Sequence, residues 1–356
     1  MKTFRDLLAT ELPIIQAPMA GVQTSALAIA VSNAGGLGSL PCAMLSPSEI
    51  RAELSAMRAN TSKPFNVNFF CHTPPEPDPA REAAWRAALA PYYDEFGIDP
   101  SEIPTQPSRR PFSAEAADLL EEFHPPLVSF HFGLPSTDLL ARVKSLGAVI
   151  LACATTVDEA RWLEAHGADG VIAQGLEAGG HRGMFLTEDV STQMGTFALL
   201  PQVVSAVKVP VIAAGGIADA RGVAAALSLG ASAVQIGTAY LMCPEATTSP
   251  VHRAALRSAA SRQTTITRLF SGRPARGMVN RLIRELGPMN EIAPAFPLAG
   301  AALGPLRAKA ERLGDGGFSP LRCGENVTGC SEIPASALTR LLAQGADEFC
   351  RRRLLS

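Results

Sequence analysis

The feature that most constrains the fold of this chain is a series of short apolar segments, each followed by a glycine turn or a helical pattern. Short apolar segments bounded by glycine or proline and rich in β-branched residues are typical of buried strands. Strands that alternate with helices in this way indicate an α/β fold with a parallel sheet. The predicted strands cover residues 13–19, 37–40, 64–70, 127–132, 148–152, 170–173, 209–214 and 233–236.

Three of these strands are introduced by the same kind of helix end. The sequences are L-G-A from Leu146, H-G-A from His166 and L-G-A from Leu229. In each, glycine ends a helix and the chain enters the sheet within a few residues. Eight βα units of this size favour a TIM (β/α)8 barrel. The alternative, an open Rossmann-type sheet, requires a G-x-G-x-x-G turn after an early strand, and the sequence has none.

Two segments interrupt the barrel pattern. Residues 72–124 begin H-T-P-P-E-P-D-P and contain helical stretches near 80–90 and 114–123. Residues 244–317 are rich in proline, arginine and alanine. We expect 72–124 and 244–317 to form a second, smaller, mainly helical domain that covers the active site. The barrel then consists of 1–71, 125–243 and 318–356, with a closing helix over about 335–351.

The composition limits the kinds of molecule that this chain is expected to bind. The chain of 356 residues is 47% hydrophobic and 18% charged, with a formal net charge of −2 and a pI near 6.3. This balance offers no basic surface for nucleic acid or an anionic membrane, so a small molecule is the expected partner. Two uncharged stretches, 12–48 and 222–244, are punctuated by glycine and proline or polar residues, which favours buried parallel strands over membrane helices.

The numbers and spacings of the cysteines and histidines argue against disulfide bonds and a metal site. The seven cysteines are odd in number, scattered and without a C-x-x-C pair, which indicates reduced thiols and a cytoplasmic location. We assign none of them a catalytic role. The six histidines form no H-E-x-x-H pair and none lies at zinc-ligand spacing from a cysteine, so no metal site is predicted.

Residues 170–183 read G-V-I-A-Q-G-L-E-A-G-G-H-R-G, a short strand that runs directly into a glycine-rich turn. Glycines can take positive φ and let the backbone close on a ligand. The alternative is a tight turn that carries a surface histidine. Four side chains of this turn carry groups that can bind a ligand or take part in chemistry: Gln174, Glu177, His181 and Arg182.

The next two strands favour the ligand-binding interpretation. In TIM barrels the active site lies at the carboxyl ends of the strands, and phosphate commonly binds after strands seven and eight. Here those loops contain Gly215-Gly216 and residues 235–238, with expected helix starts at Asp219 or Thr238 whose dipoles favour an anion. His131 and His181 both follow barrel strands, so we expect them to face one cavity, where imidazole can act as base, acid or anion partner.

Several motifs together resemble the nitronate monooxygenases, an FMN-dependent family formerly called 2-nitropropane dioxygenases. The resemblance covers almost the whole chain. FMN-dependent enoyl-acyl-carrier-protein reductases and NADH:quinone reductases resemble the same scaffold. The motifs are A-P-M-A-G at 17–21, N-V-N-F at 66–69, G-L-E-A-G-G-H-R-G at 175–183, A-A-G-G-I at 213–217, Q-I-G-T at 235–238 and T-R-L-F-S-G-R-P-A-R-G at 267–277.

The resemblance implies FMN as the cofactor and His181 as the catalytic residue, which takes the α-proton of a nitroalkane or holds the anionic nitronate. His131 is implied as a second histidine of the substrate pocket. Met19 matches the residue beside the isoalloxazine ring, and the glycine loops hold the phosphate. The implied cofactor-binding residues are Met19, Asn68, Gln174, Gly179, Gly180, Gly215, Gly216, Gln235, Ile236, Gly237 and Thr238.

The implied reaction is the oxidation of an alkyl nitronate, such as propionate 3-nitronate, by O₂ to a carbonyl compound and nitrite. An anionic substrate suits a pocket with glycine N–H groups and an imidazole. Two alternatives remain open at this point: an NAD(P)H-dependent quinone or enoyl-acyl-carrier-protein reductase, and a non-enzymatic flavin-binding protein on the same barrel. A homodimer is compatible with the sequence.

The chain departs from the family pattern at residues 319–329, which read S-P-L-R-C-G-E-N-V-T-G. The family usually shows a tryptophan followed by A-G-Q in this region, whereas Arg322 replaces the aromatic residue here. We therefore expect the access of substrate or NADH to the flavin to differ from that in the family. Arg273, Arg276 and Arg281 are expected to be solvated surface arginines.

Overall fold

The computed structural model describes residue 7 and residues 9–104 and 109–354, without the side chains of residues 102 and 348–354. Within the described residues the chain forms parallel strands that alternate with helices, followed by a small antiparallel sheet. The strands are β1 (Ile14–Gln16), β2 (Gly38–Pro41), β3 (Phe65–Phe70), β4 (Leu127–His131), β5 (Val149–Ala154), β6 (Gly170–Gln174), β7 (Gly180–His181), β8 (Val211–Ala214), β9 (Ala233–Ile236), β10 (Thr264–Thr267) and β11 (Ala275–Met278).

The parallel strands form a barrel. Their order is β1-β9-β8-β6-β5-β4-β3-β2, and a parallel bridge between Ile15 and Leu37 joins the two ends of the sheet. At this bridge the amide of Leu37 donates to the carbonyl of Ile14 at 2.8 Å, and the amide of Gln16 donates to the carbonyl of Leu37 at 2.9 Å. The predicted TIM-barrel fold and its eight strands are confirmed.

Helices surround the barrel, and their starts follow sequence signals. Ser46 and Glu49 form a capping box at the second helix, with Pro47 at its first position, which satisfies two backbone donors. The helices are α1 (Ser25–Asn33), α2 (Pro47–Asn60), α3 (Pro79–Phe96), α4 (Ala114–Phe123), α5 (Thr137–Ser145), α6 (Val157–Ala165), α7 (Thr196–Ala206), α8 (Ala220–Ser228), α9 (Pro250–Arg257), α10 (Arg281–Leu286), α11 (Ala299–Arg312) and α12 (Ala335–Leu354).

The barrel interior changes from apolar to polar along its axis. A cluster that includes Ile15, Leu151 and Ile212 fills the interior. Further along, Asn66 and Asn68 are buried and both donate from Nδ2 to the hydroxyl of Ser129, at 2.8 and 2.9 Å. Because buried polar groups must be hydrogen-bonded, this network stabilises a polar floor at the carboxyl ends of the strands.

A second core lies outside the barrel, between α3, α10 and α11. Its aromatic side chains anchor α3 on α11, because Trp85 Nε1 donates to the carbonyl of Ala299 at 3.1 Å and the Tyr93 hydroxyl donates to that of Ala302 at 2.9 Å. Helix α4 packs differently. Its buried Leu120 belongs to the cluster formed by α2 and the barrel strands.

The antiparallel sheet connects the glycine turn to the chain beyond the barrel. Its order is β10-β11-β7, and β7 pairs with β11 through His181 opposite Ala275 and Gly180 opposite Arg276. His181 is therefore held on a short strand rather than in a free turn. Among the helices of the described residues, none combines the length and apolar character needed to cross a membrane.

Candidate active site

A cavity of about 230 Å³ opens at the carboxyl ends of the barrel strands. This is the place where TIM barrels carry their active sites. Most of the site residues expected from the sequence line it together: Met19, Asn68, His131, Gln174, Gly179, Gly180, His181, Gly215, Gly216, Gln235, Gly237 and Thr238.

Ile236 does not line this cavity. Side chains alternate along β9, so Gln235 faces the interior while Ile236 packs between the barrel and its helices. Ile236 is 1% exposed, and its carbonyl accepts a hydrogen bond from the amide of Ala17 at 2.8 Å. Its contribution to the site is to join β1 to β9, and its side chain does not contact the cavity.

The glycine turns bring backbone segments too close for a side chain. A Cβ on Gly179 would lie 2.4 Å from the carbonyl carbon of Cys323, and one on Gly215 would lie 3.0 Å from the amide nitrogen of Ala178. Gly215 also has a φ of +111°, which side chains disfavour. The loops after β6 and β8 therefore form one backbone surface of the cavity.

The two expected helix starts differ. Asp219 caps α8, since its carboxylate accepts from the amide of Gly222 at 2.8 Å. A helix also starts at Thr238, but it is a short 3₁₀ helix, Thr238–Met242, rather than an α-helix. The Thr238 hydroxyl instead accepts from the amide of Gly324 at 2.9 Å, which joins the barrel to the 319–329 segment.

Arg182 stabilises the turn through hydrogen bonds to other protein groups. Its side chain is fully buried and donates to the carbonyls of Gly175 and Gln174 at 2.7 and 2.8 Å, and to Gln193 at 2.9 Å. The carboxylate of Glu177 likewise accepts from the backbone and hydroxyl of Thr196. The charged groups of Arg182 and Glu177 therefore form hydrogen bonds with protein groups around the turn.

His181 points into the cavity. Its Nε2 lies 2.9 Å from the hydroxyl of Ser271 and 3.4 Å from Nη2 of Arg322. A guanidinium can only donate, so Nε2 is an acceptor and the imidazole carries its proton on Nδ1. Burial, then the charge of Arg322 and other cations nearby, holds the pKa of His181 well below its usual range. The imidazole is therefore neutral at pH 7.

His131 lies beside it. Its Nε2 is 3.3 Å from the carbonyl oxygen of His181, and its ring packs against Phe70 and Phe132 with centroids 5.6 and 4.6 Å apart. A carbonyl only accepts, so this nitrogen donates. Burial lowers the pKa of His131 to about 3, which keeps the ring neutral. His131 therefore helps to position the backbone of His181, and its own ring lies in an aromatic wall with Phe70 and Phe132.

Four residues that line the cavity were not predicted from the sequence, because they lie in the inserted segments, which meet the barrel only in the folded chain. They are Arg109, His252, Arg307 and Glu311. Arg307 donates to Glu311 at 2.7 Å, and Ser319 donates to the same carboxylate at 2.6 Å. His252 is 5% exposed, and its Nε2 has no hydrogen-bond partner among the described residues. Burial lowers the pKa of His252 to about 4. No local pattern marks these positions.

Two of the arginines expected on the surface are largely buried, so that prediction is wrong for them. Arg276 is 6% exposed, donates to the carbonyl of Leu176 at 2.9 Å and pairs with Glu325 at 2.9 Å. Arg273 donates to the carbonyl of Met184 and lies 4.2 Å above the ring of Phe132. The third, Arg281, is half-exposed and pairs with glutamates on the surface.

The charges at this cavity favour an anion. Arg109, Arg307 and Arg322 line it together. Of the carboxylates that line it, Glu311 pairs with Arg307 and Glu177 accepts from Thr196. Burial and neighbouring arginines lower the pKa of Arg322 to about 9 and that of Arg109 to about 10, so both are cations at pH 7. Among the described residues, no group of three or more histidine, cysteine, aspartate or glutamate side chains is placed to hold a metal ion.

Comparison with known proteins agrees with this geometry. The family model described as nitronate monooxygenase matches residues 2–344. A nitronate monooxygenase of Pseudomonas aeruginosa is 43% identical over 350 residues, which covers 96% of this chain and 98% of the relative.

Solved structures show the same similarity. Nitroalkane oxidase from Streptomyces ansochromogenes superposes with a TM-score of 0.89 and 38% identity, over 99% of both chains. FabK from Thermotoga maritima gives a TM-score of 0.73 at 30% identity, over 99% of this chain and 98% of that one. The chain is therefore an enzyme and belongs to the nitronate monooxygenase family.

Proposed function

We propose that this enzyme binds FMN in the barrel cavity and oxidises alkyl nitronates, propionate 3-nitronate among them, with O₂ to a carbonyl compound and nitrite. The observation that carries the proposal is a neutral His181 beside the Arg322 guanidinium, in a cavity bordered by the glycine turns of three successive barrel strands. Fixed donors and cations of this kind stabilise an anionic reactant.

The residues of the cavity fit FMN. Gly179 and Gly215 lie where loops pack backbone against backbone, so the part of the cavity that they border is made of main chain, which suits a phosphate or a flat ring. The buried Oε1 of Gln235 has no protein partner among the described residues, so it can accept a bond from a ligand N–H. The phosphate would be held by Gly215, Gly216, Gly237 and Thr238, and the ring by Met19, Asn68, Gln174 and Gly180.

FMN, when bound, supplies the electron transfer between substrate and O₂. The chain's own residues bind and orient the substrate. Nε2 of His181 contacts Ser271 and Arg322, its proton lies on Nδ1, and the rings of Phe70 and Phe132 pack edge-on against the imidazole. Because burial weakens His181 as a base, a preformed nitronate suits this site better than a neutral nitroalkane that must first lose a proton.

The second candidate is an NAD(P)H-dependent quinone or enoyl-acyl-carrier-protein reductase. The similarity to FabK from Thermotoga maritima over nearly the whole chain favours it, although that similarity is weaker than the one to nitroalkane oxidase. Both activities would use the same barrel and cofactor site. They differ in whether a reduced nicotinamide cofactor is needed.

One experiment separates the two. The purified protein is loaded with FMN and mixed with propionate 3-nitronate or ethyl nitronate in air, without NADH. Release of nitrite with consumption of O₂ supports the proposed function. Rapid oxidation of NADH with a quinone or enoyl thioester, and no nitrite from either nitronate, supports the reductase instead.

We further propose that the small domain is formed by α3 with residues 244–317 and that it covers the cavity, while α4 belongs to the barrel. Packing of α4 on α2 and α5 supports this division, because its buried face lies in the barrel's outer core. Arg109 and Arg307, which line the cavity from the inserted segments, support the covering role.

A further inference from the structure

Arg322 enters the cavity from a strained backbone. The preceding residue, Leu321, has a φ of +33°, in the left-handed region that branched side chains avoid. Two features hold it there: its carbonyl accepts from the amide of Met278 at 3.0 Å, and its side chain packs in the cluster with Leu241 and Leu256. Strained backbone that the surrounding structure maintains is often found at ligand sites.

The contacts of Arg322 leave most of its donors without a strong acceptor. Its Nη2 lies 3.4 Å from Nε2 of His181 and 3.5 Å from the hydroxyl of Ser271, both neutral and both at long range. A guanidinium carries five N–H donors. Across the described residues, no carboxylate forms an ion pair with Arg322.

Other arginines near the site are satisfied by the protein. Arg276 pairs with Glu325 at 2.9 Å, Arg307 pairs with Glu311 at 2.7 Å, and Arg182 has three acceptors within 2.9 Å. Their roles are explained by the fold. The position of Arg322 is different, since its charge faces the cavity and its protein contacts do not neutralise it.

Such a cation is costly to bury unless an anion reaches it. Burial, with Arg109 and Arg307 nearby, disfavours the charged form of Arg322. A planar anion with two oxygens on one atom matches the donor geometry of a guanidinium and would offset this cost. A nitronate has that shape and charge, whereas the neutral His181 contributes no charge of its own.

We propose that Arg322 is a substrate-binding, specificity-determining residue whose guanidinium donates to the nitronate oxygens beside His181. This inference rests on the proposed function. It assigns recognition of the negative charge to Arg322 rather than to an imidazolium, so the site selects the anion over the neutral nitroalkane of the same shape.

Nitrate, a planar monoanion with similar oxygens, tests the binding step without turnover. It is titrated into the oxidised, FMN-loaded protein and followed by flavin absorbance and by calorimetry, for the wild type, R322Q, R322K and the control R312Q. Arg312 is exposed at the end of α11 and donates to the carbonyl of Ala308. We expect nitrate affinity to fall about ten- to hundredfold in R322Q, because one charge-assisted interaction is lost.

R322K should recover part of the affinity, since lysine keeps the charge and loses the planar donor pair. R312Q should match the wild type. In steady-state assays with ethyl nitronate, R322Q should raise KM by a similar factor with a much smaller change in kcat, as expected for loss of binding that is equal in ground and transition states.

Nitrate affinity in R322Q equal to that of the wild type, or an absence of nitrate binding by the wild type, overturns the proposal. If R322Q does not fold with FMN bound, R322K decides: weaker nitrate binding than in the wild type supports the proposal, and equal binding overturns it. A wild type that binds nitrate through Arg322 but releases no nitrite from nitronates refutes the proposed function while leaving Arg322 as an anion-binding residue.

Discussion

Nε2 of His131 lies 3.3 Å from the carbonyl oxygen of His181, so the two site histidines meet through the backbone of one of them. The same carbonyl accepts from Nε2 of Gln174 at 3.0 Å, and Oε1 of Gln174 accepts from the amide of Gly183 at 2.8 Å. Side chains from β4 and β6 thus fix the short strand that carries His181. Its ring is placed by the barrel strands, while the cations around it come from segments outside those strands.

Replacing His181 with asparagine should reduce nitronate turnover without removing the cofactor. Asparagine keeps a polar group but cannot reproduce both ring nitrogens, so we expect kcat/KM to fall about ten- to hundredfold for the loss of one or two hydrogen bonds. FMN content, measured by absorbance, should be unchanged. The control H166N alters an exposed histidine stacked on Trp162, and its activity should equal that of the wild type. Unchanged turnover in H181N would refute the assignment.

His131→Phe tests the support of His181. The variant removes a donor to the His181 carbonyl, which retains its bond from Gln174, so the loss of stability should be modest, about 1 kcal/mol. Urea denaturation measures it. We also expect kcat/KM for nitronates to fall, since the carbonyl of His181 loses one of its two side-chain donors. An unaltered midpoint and unaltered kinetics would show that this contact is unimportant.

Arg182→Met should destabilise the protein severely. The change leaves the carbonyl of Gln174 and the side-chain oxygen of Gln193 without this donor, while the carbonyl of Gly175 keeps its bond from the amide of Ala178. We expect a loss of about 2–4 kcal/mol, as for buried acceptors left unsatisfied. Thermal unfolding and FMN content check this together. Arg161→Met, at an exposed helix position, is the matched control and should change stability by less than about 0.5 kcal/mol. Similar melting curves for the two variants would contradict the structural role of Arg182.

Two glycine substitutions should have opposite effects. In Gly179→Ala the new Cβ would lie 2.4 Å from backbone carbon of Cys323, so the loop must move and FMN affinity should fall. In Gly304→Ala, within α11, a Cβ has open space, and stability should rise by about 0.5–1 kcal/mol. Fluorescence titration of FMN and thermal unfolding measure the two effects. Normal FMN affinity in Gly179→Ala would argue against a close backbone surface at the flavin.

Stability should fall as the pH drops from about 6.5 to 5. Burial lowers the pKa of His131 to about 3 and those of His72 and His252 to about 4, so these rings stay neutral in the folded protein. In the unfolded chain they titrate near 6.5 and bind protons first. The unfolded state therefore gains protons through this window, and each such histidine removes up to about 1.4 kcal/mol per pH unit. Urea midpoints that do not change between pH 7.5 and 5 would contradict this prediction.

Local patterns were sufficient for much of the fold. The period-two and apolar runs predict every barrel strand, and Ser46 with Glu49 and Pro47 marks the start of α2. The same alternation along β9 explains why Gln235 faces the cavity and Ile236 does not, which motif matching alone did not distinguish. Sequence near a residue determines these features, because strand periodicity and helix capping depend on neighbours within a few positions.

The electrostatics of the site required the folded chain. The glycine turn and its histidine were recognisable from sequence because a strand that ends in glycines is a local signal. The cations around it come from segments more than a hundred residues apart, with Arg109 before β4 and Arg307 and Arg322 after β11. Nothing near Arg322 in sequence indicates that its guanidinium lies 3.4 Å from His181. Burial and charge are properties of what packs around a group, and only the tertiary structure brings those groups together.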